Sequence, residues 1–152
     1  MRKHVLIACI SLIALLFIYT ATAKLIDITR FRHDMLNQPL PHWMGITAVW
    51  ALPTLEILSV ALMLFDRTRL TGLWIAWSMM LLFTLYTALI LGNTFGRIPC
   101  SCGGFIRTLS WTQHLYFNIF FLVTASVGVF MQTQLEVLKI FHAPGTGQTE
   151  NL

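Results

Sequence analysis

Apolar residues in this chain fall into four long runs, Val5–Ala23, Met44–Phe65, Leu70–Leu91 and Leu115–Met131. Charged residues, prolines and glycines collect in the short stretches between them. The middle two runs supply the roughly 20 residues a bilayer span needs, and the outer two reach the lower limit. Helices are expected, because a helix satisfies its own backbone groups in hydrocarbon. After Ala23 the pattern stays helical. Leu25, Ile28, Phe31, Met35 and Leu36 recur at helical spacing, with Lys24, Asp27, Arg30 and Asp34 on other faces. This predicts a first helix that continues out of the bilayer or bends to lie on it. Pro39 and Pro41 end that segment, and Trp43 starts the second span at the interface, where Trp is favoured. Asn93-Thr94-Phe95-Gly96 breaks the third span. Ser110-Trp111-Thr112-Gln113 has the form of a capping box and starts the fourth near Trp111. The predicted fold class is an all-α integral membrane four-helix bundle. Residues 1–135 form its one domain and 136–152 a short tail. Ala143–Leu152, with Pro144-Gly145-Thr146-Gly147, reads as disordered.

Composition agrees. Of 152 residues, 57% are hydrophobic and 11% charged, which excludes an ordinary soluble domain. The net charge of +4 is scattered and offers no basic face to nucleic acid, so the bilayer is the expected large partner. Orientation is a tie by the charge rule. Arg2, Lys3, Arg67, Arg69 and Lys139 stand on one side, and Lys24, Arg30, Arg32, Arg97 and Arg107 on the other. The basic residues ahead of the first span and the tight Asp66-Arg67-Thr68-Arg69 loop break it towards both termini in the cytoplasm, in a cell (cytoplasmic) membrane. Arg2-Lys3, an apolar stretch and Ala21-Thr22-Ala23 also resemble a secretory signal peptide. The long apolar core and the helical pattern beyond Ala23 favour an uncleaved first span.

The candidate chemistry centres on Pro99-Cys100-Ser101-Cys102-Gly103-Gly104-Phe105, in the loop before the fourth span. Thiols one residue apart can close only a very small ring, and a strained disulfide is a good oxidant of other thiols. Gly103 and Gly104 let a partner approach closely. Arg97 and Arg107 would favour the thiolate if they came near. The bland alternative is two inert loop cysteines. No metal site is expected, because two sulfurs are half a tetrahedral set and His33, His42 and His114 lack finger-like spacing. His114 and Asn118 fall at i and i+4 at the end nearest the pair. His114 would move protons during exchange, or else contact headgroups and water. Asn118 reads as a tie between helices. Glu56 lies deep in the second span, three residues after Pro53, which is expected to kink the helix. It reads either as a proton acceptor or ligand contact, or as a hydrogen-bonded carboxyl joining helices. With square spans Glu56 sits level with Ser11, Ser78, Thr124 and Ser126, and Lys24 roughly 15 Å higher. A direct Lys24–Glu56 ion pair is therefore not expected. Cys9, inside the first span, reads as a small hydrophobe.

Three stretches carry a family resemblance: Lys24-Leu25-Ile26-Asp27 to Phe31, Leu52-Pro53-Thr54-Leu55-Glu56, and Cys100-Ser101-Cys102-Gly103-Gly104-Phe105 followed by Trp111 and Asn118. In this order and spacing the chain resembles the methylamine-utilisation MauE proteins, within the DoxX-like group of four-helix membrane proteins. Gly103 stands where that family usually has an aromatic residue, and Phe117 where a basic residue is common. The resemblance implies a role on the outer face in maturing disulfide-rich or thiol-bearing proteins. In the founding systems the client is a subunit of methylamine dehydrogenase.

Two functions of different class follow. In the first, Cys100 and Cys102 form a membrane thiol–disulfide relay, an oxidoreductase in the broad sense. It would serve an extracytoplasmic client and be coupled to a quinone or a membrane redox partner. In the second, the protein is a non-enzymatic assembly or scaffold subunit whose Cys-x-Cys link stiffens a loop. Transport through the bundle past Glu56 ranks last, because four short helices leave little room for a pore.

Overall fold

The computed structural model describes residues 2–94 and 110–142. Its helices are α1 (Arg2–Ile26), α2 (Ile28–Leu36), α3 (His42–Leu64), α4 (Arg69–Leu91) and α5 (Trp111–His142). Among the described residues, α1, α3, α4 and α5 are long and apolar enough to cross a membrane. The protein is an all-α, multi-pass membrane bundle. Its outward faces carry Leu15, Trp50, Leu82 and Phe120, each more than half exposed. Such a girdle suits lipid, where apolar side chains need no cover.

The breaks between helices have local causes. Asp27 interrupts the first helix and caps the next, its Oδ1 accepting from the Arg30 amide at 3.2 Å. The chain therefore bends into a separate short helix. Phe31 and Met35 of α2 are buried with Val49 of α3, which holds α2 against the bundle. α3 runs unbroken through the fully buried Pro53. α4 stops at Gly92, and Asn93 follows in the left-handed region at φ 52°. α5 opens on the reciprocal cap: the Ser110 amide donates to Gln113 Oε1 at 2.9 Å, and the Gln113 amide to Ser110 Oγ at 3.3 Å. At its far end α5 continues to His142, so 136–142 is helical and not part of a tail as expected. Leu135 packs on the core and Gln132 Nε2 donates to Glu136 Oε1 at 3.0 Å, carrying the helix past its apolar run. Residues 143–152 lie outside the described residues.

The core is a seam of Leu6, Ile13, Phe17, Met63, Leu73, Met80, Phe121 and Val129, drawn from α1, α3, α4 and α5. Helices approach where a side chain is missing. A Cβ on Gly72 would lie 2.8 Å from the Met63 amide nitrogen and from the Ser59 carbonyl oxygen, so only glycine fits there. Ser59 Oγ donates to the Gly72 carbonyl at 3.0 Å across the same contact. Gly128 lets α5 sit against Leu73 and Cys9, the latter buried as a small hydrophobe. Cys9 is in the third turn of α1 and Leu73 in the second turn of α4.

Candidate functional site

α1, α2, the α2–α3 connection, α3, α4 and the start of α5 line a partly open chamber of about 400 Å³. Its walls are mostly apolar, with Phe17, Phe31, Phe83 and Phe117 among them. Its polar lining includes Lys24, Glu56, Tyr86, Thr87, His114 and Asn118.

Lys24 and Glu56 form an ion pair through Lys24 Nζ and Glu56 Oε1, contrary to expectation. Thr20 Oγ1 also donates to Oε1, at 3.0 Å. Glu56 thus meets Thr20, nine residues further along α1 than Ser11, with which a square span would level it. The two helices, α1 and α3, are antiparallel. Helical side chains lean towards their own N-terminus, so Lys24 and Glu56 lean towards each other. A ruler along helix axes does not measure this lean. Of the other residues expected at that depth, Ser126 Oγ instead accepts from Trp77 Nε1 at 2.9 Å.

The pair is sheltered. The Glu56 side chain is 1% exposed and that of Lys24 15%. Lys24 Nζ lies 5.8 Å from the Phe31 ring centroid and 5.9 Å from that of Phe83, within cation–π range. Glu56 Oε2 is buried and has no hydrogen-bond partner among the described residues.

Also in the lining, Asn118 Nδ2 donates to Thr87 Oγ1 at 3.1 Å and reaches the Phe83 carbonyl at 3.4 Å, fastening α5 to α4. His114 lies one turn before it, half-buried, with its ring stacked on Trp111 at 6.2 Å between centroids. Tyr86 Oη donates to Gln38 Oε1, tying α4 to the segment after α2. The structure therefore brings Lys24, Glu56, His114 and Asn118 around one chamber. Cys100 and Cys102, with Arg97 and Arg107, lie outside the described residues. The segment that carries them leaves α4 shortly after Tyr86 and Thr87 and enters α5 at Trp111, and all three of these residues line the chamber.

Sequence reasoning missed Thr20, Gln38, Phe31 and Phe83 as neighbours of the site. Thr20 stands four residues before Lys24, so the i, i+4 rule places both on one face of α1. Gln38 carried no comparable signal, because its role depends on how the chain turns between α2 and α3.

This architecture is that of a multi-pass helical membrane protein with a buried ion pair beside an apolar chamber. Residues 2–131 match the family model described as methylamine utilisation protein MauE, and the chain belongs to that family. Family membership supports involvement in methylamine utilisation. No curated protein and no solved structure gives a match to the chain.

Proposed function

We propose that this protein is a membrane thiol–disulfide relay that helps extracytoplasmic proteins of a methylamine-utilising system to mature. The observation that carries the reading is the Cys100-Ser101-Cys102 pair, set in the connection between α4 and α5. In the forward step a client thiolate attacks the Cys100–Cys102 disulfide. The client's second thiol then resolves the mixed disulfide, so the client leaves oxidised and the pair becomes a dithiol. Returning the pair to the disulfide removes two electrons and two protons, which a membrane acceptor must take. His114, at the start of α5, is the side chain suited to pass those protons. The orientation that serves this chemistry has both termini in the cytoplasm and the pair outside, where disulfides persist.

The test is a redox pulse in intact cells. A brief exposure to reductant, followed by washing and alkylation, should find Cys100 and Cys102 first as thiols and then again as a disulfide within minutes. A pair that stays reduced after the reductant is removed, or that resists reduction throughout, contradicts a relay.

A further inference from the structure

α3 carries a row of hydrogen-bonding side chains on the face it turns away from the bundle. Trp43, Thr47, Trp50, Thr54 and Ile57 follow one another at alternating steps of four and three residues, and all are exposed. At about 100° per residue, the two tryptophans and two threonines form one stripe about 60° wide. The stripe lies opposite the buried Val49, Glu56, Ser59 and Met63. Pro53 is the middle residue of this 23-residue span, so Trp50 sits about 4.5 Å along the axis from its midpoint. Trp is favoured at membrane interfaces, where its N–H finds water or headgroups. Trp43 has that position and Trp50 does not. Trp50 is 62% exposed, and its Nε1 has no acceptor among the described residues. A donor left unpaired in hydrocarbon is costly.

The same stripe holds acceptors. Thr47 Oγ1 donates to the Trp43 carbonyl at 2.9 Å, and Thr54 Oγ1 to the Trp50 carbonyl at 2.7 Å. Each hydroxyl has thus committed its one proton and keeps lone pairs to accept with.

We propose that this face is the contact surface of a homodimer, with α3 packed in parallel against α3 of a second copy. Copies inserted alike in a membrane run their α3 helices in the same direction. A mean step of 3.5 residues suits a left-handed crossing of about 20°. In such a pair each seam side chain enters a hole framed by partner residues one step before and one step after it. Trp50 of one copy then lies between the partner's Thr47 and the partner's Thr54, and its Nε1 donates to one of those hydroxyls. The twofold axis makes the same bond a second time. A threonine above and below gives two indoles at one layer the space they need.

The seam matches itself, and this singles out a second copy. It brings two open donors, on Trp43 and Trp50, and two open acceptors, on Thr47 and Thr54. Lipid tails offer an indole no acceptor. A different membrane helix would have to supply acceptors that α3 already carries. The contact rests on α3 alone and stands whether or not the cysteine pair cycles.

The test uses full chains with a donor or an acceptor dye on a C-terminal tag, mixed in phosphatidylcholine vesicles. Energy transfer should rise with the ratio of protein to lipid and fall when unlabelled chain is added. Trp50→Leu removes both symmetry-related hydrogen bonds and should raise the dissociation constant by about ten- to a hundredfold. Thr47→Val with Thr54→Val keeps the shape, removes the acceptors and should do the same. Leu15→Ala, on the outward face of α1, should leave association unchanged. In native membranes a benzophenone side chain placed at Ile57 should cross-link to a second copy of this chain. Energy transfer no greater than random proximity gives, wild-type association in both seam variants, or equal weakening by Leu15→Ala overturns the proposal. Cross-linking from Ile57 only to lipid or to another protein also overturns it.

Discussion

Breaking the Lys24–Glu56 pair should cost more than its place near a chamber suggests, and by an amount that depends on which atom replaces the carboxylate. Glu56→Leu removes the acceptor of both Thr20 and Lys24 and strands an ammonium whose side chain is 85% buried. Leaving one partner of a buried ion pair uncompensated costs about 3–5 kcal/mol. Glu56→Gln keeps an acceptor within reach of both donors and loses the charge. The ammonium still lacks a counter-charge, so Glu56→Gln should cost less than Glu56→Leu by the roughly 0.5–1.5 kcal/mol of a retained hydrogen bond. Lys24→Met strands the carboxylate, whose Oε2 already lacks a partner among the described residues, and falls in the higher range. The double variant Lys24→Met, Glu56→Leu strands nothing and should cost clearly less than the sum of its singles. The coupling should fall within the 0.5–3 kcal/mol known for contacting residues, and about 2 kcal/mol is expected here. The assay is equilibrium unfolding of the detergent-solubilised protein, followed by helix content and the amount of protein recovered folded. Additive single and double effects would refute the reasoning. So would equal costs for Glu56→Gln and Glu56→Leu. Equal loss of client maturation in both variants at unchanged protein level would instead assign the carboxyl a protonation role.

Other outcomes follow from the packing and the topology. Gly72→Ala should destabilise the protein by about 1–3 kcal/mol or leave it unfolded, because the new methyl group meets backbone atoms of α3 at 2.8 Å and cannot be relieved by a rotamer change. A wild-type melting temperature would contradict that contact. Asn118→Leu should cost about 0.6–1.7 kcal/mol, the range for an interhelical polar tie in a membrane, and most of it should vanish in a Thr87→Val background. A membrane-impermeant thiol reagent applied to intact cells after reduction should label Cys100 and Cys102. Labelling only after lysis reverses the orientation.

The helices were legible in the sequence because each has a strong local signal. Apolar length marked the spans, Ser110 marked a cap, and the stretch from Asn93 marked a stop, whereas Asp27 was read as one polar face of a helix and not as the cap it is. The fourth span's extension to His142 was not, because Gln132, Thr133, Gln134 and Glu136 dilute its hydropathy while Leu135 still packs. The site was legible as residues but not as an arrangement. Glu56 stood out as a carboxyl deep in a span, and His114 and Asn118 as a facing pair. Joining Lys24 to Glu56 needed the opposed lean of two side chains on antiparallel helices. That is not a property of one helix, so it is not written in the spacing of one helix. The chamber belongs to the same class, since it is what remains between five packed segments.

The central claim is that Cys100 and Cys102 exchange disulfides with a client. The most direct measurement is mass spectrometry of thiol adducts trapped in native membranes that carry Cys100→Ser or Cys102→Ser. Either variant leaves one cysteine unable to resolve a mixed disulfide. One of the two should therefore accumulate a reducible covalent adduct with an extracytoplasmic protein, at an unchanged level of this protein in the membrane. A pair closing so small a ring constrains few chain conformations, so its loss should cost folding no more than the roughly 2–4 kcal/mol typical of longer disulfide loops. Adduct-free membranes with both variants present at normal level would contradict the relay and favour a scaffold. Loss of both variants from the membrane would show that the pair is structural.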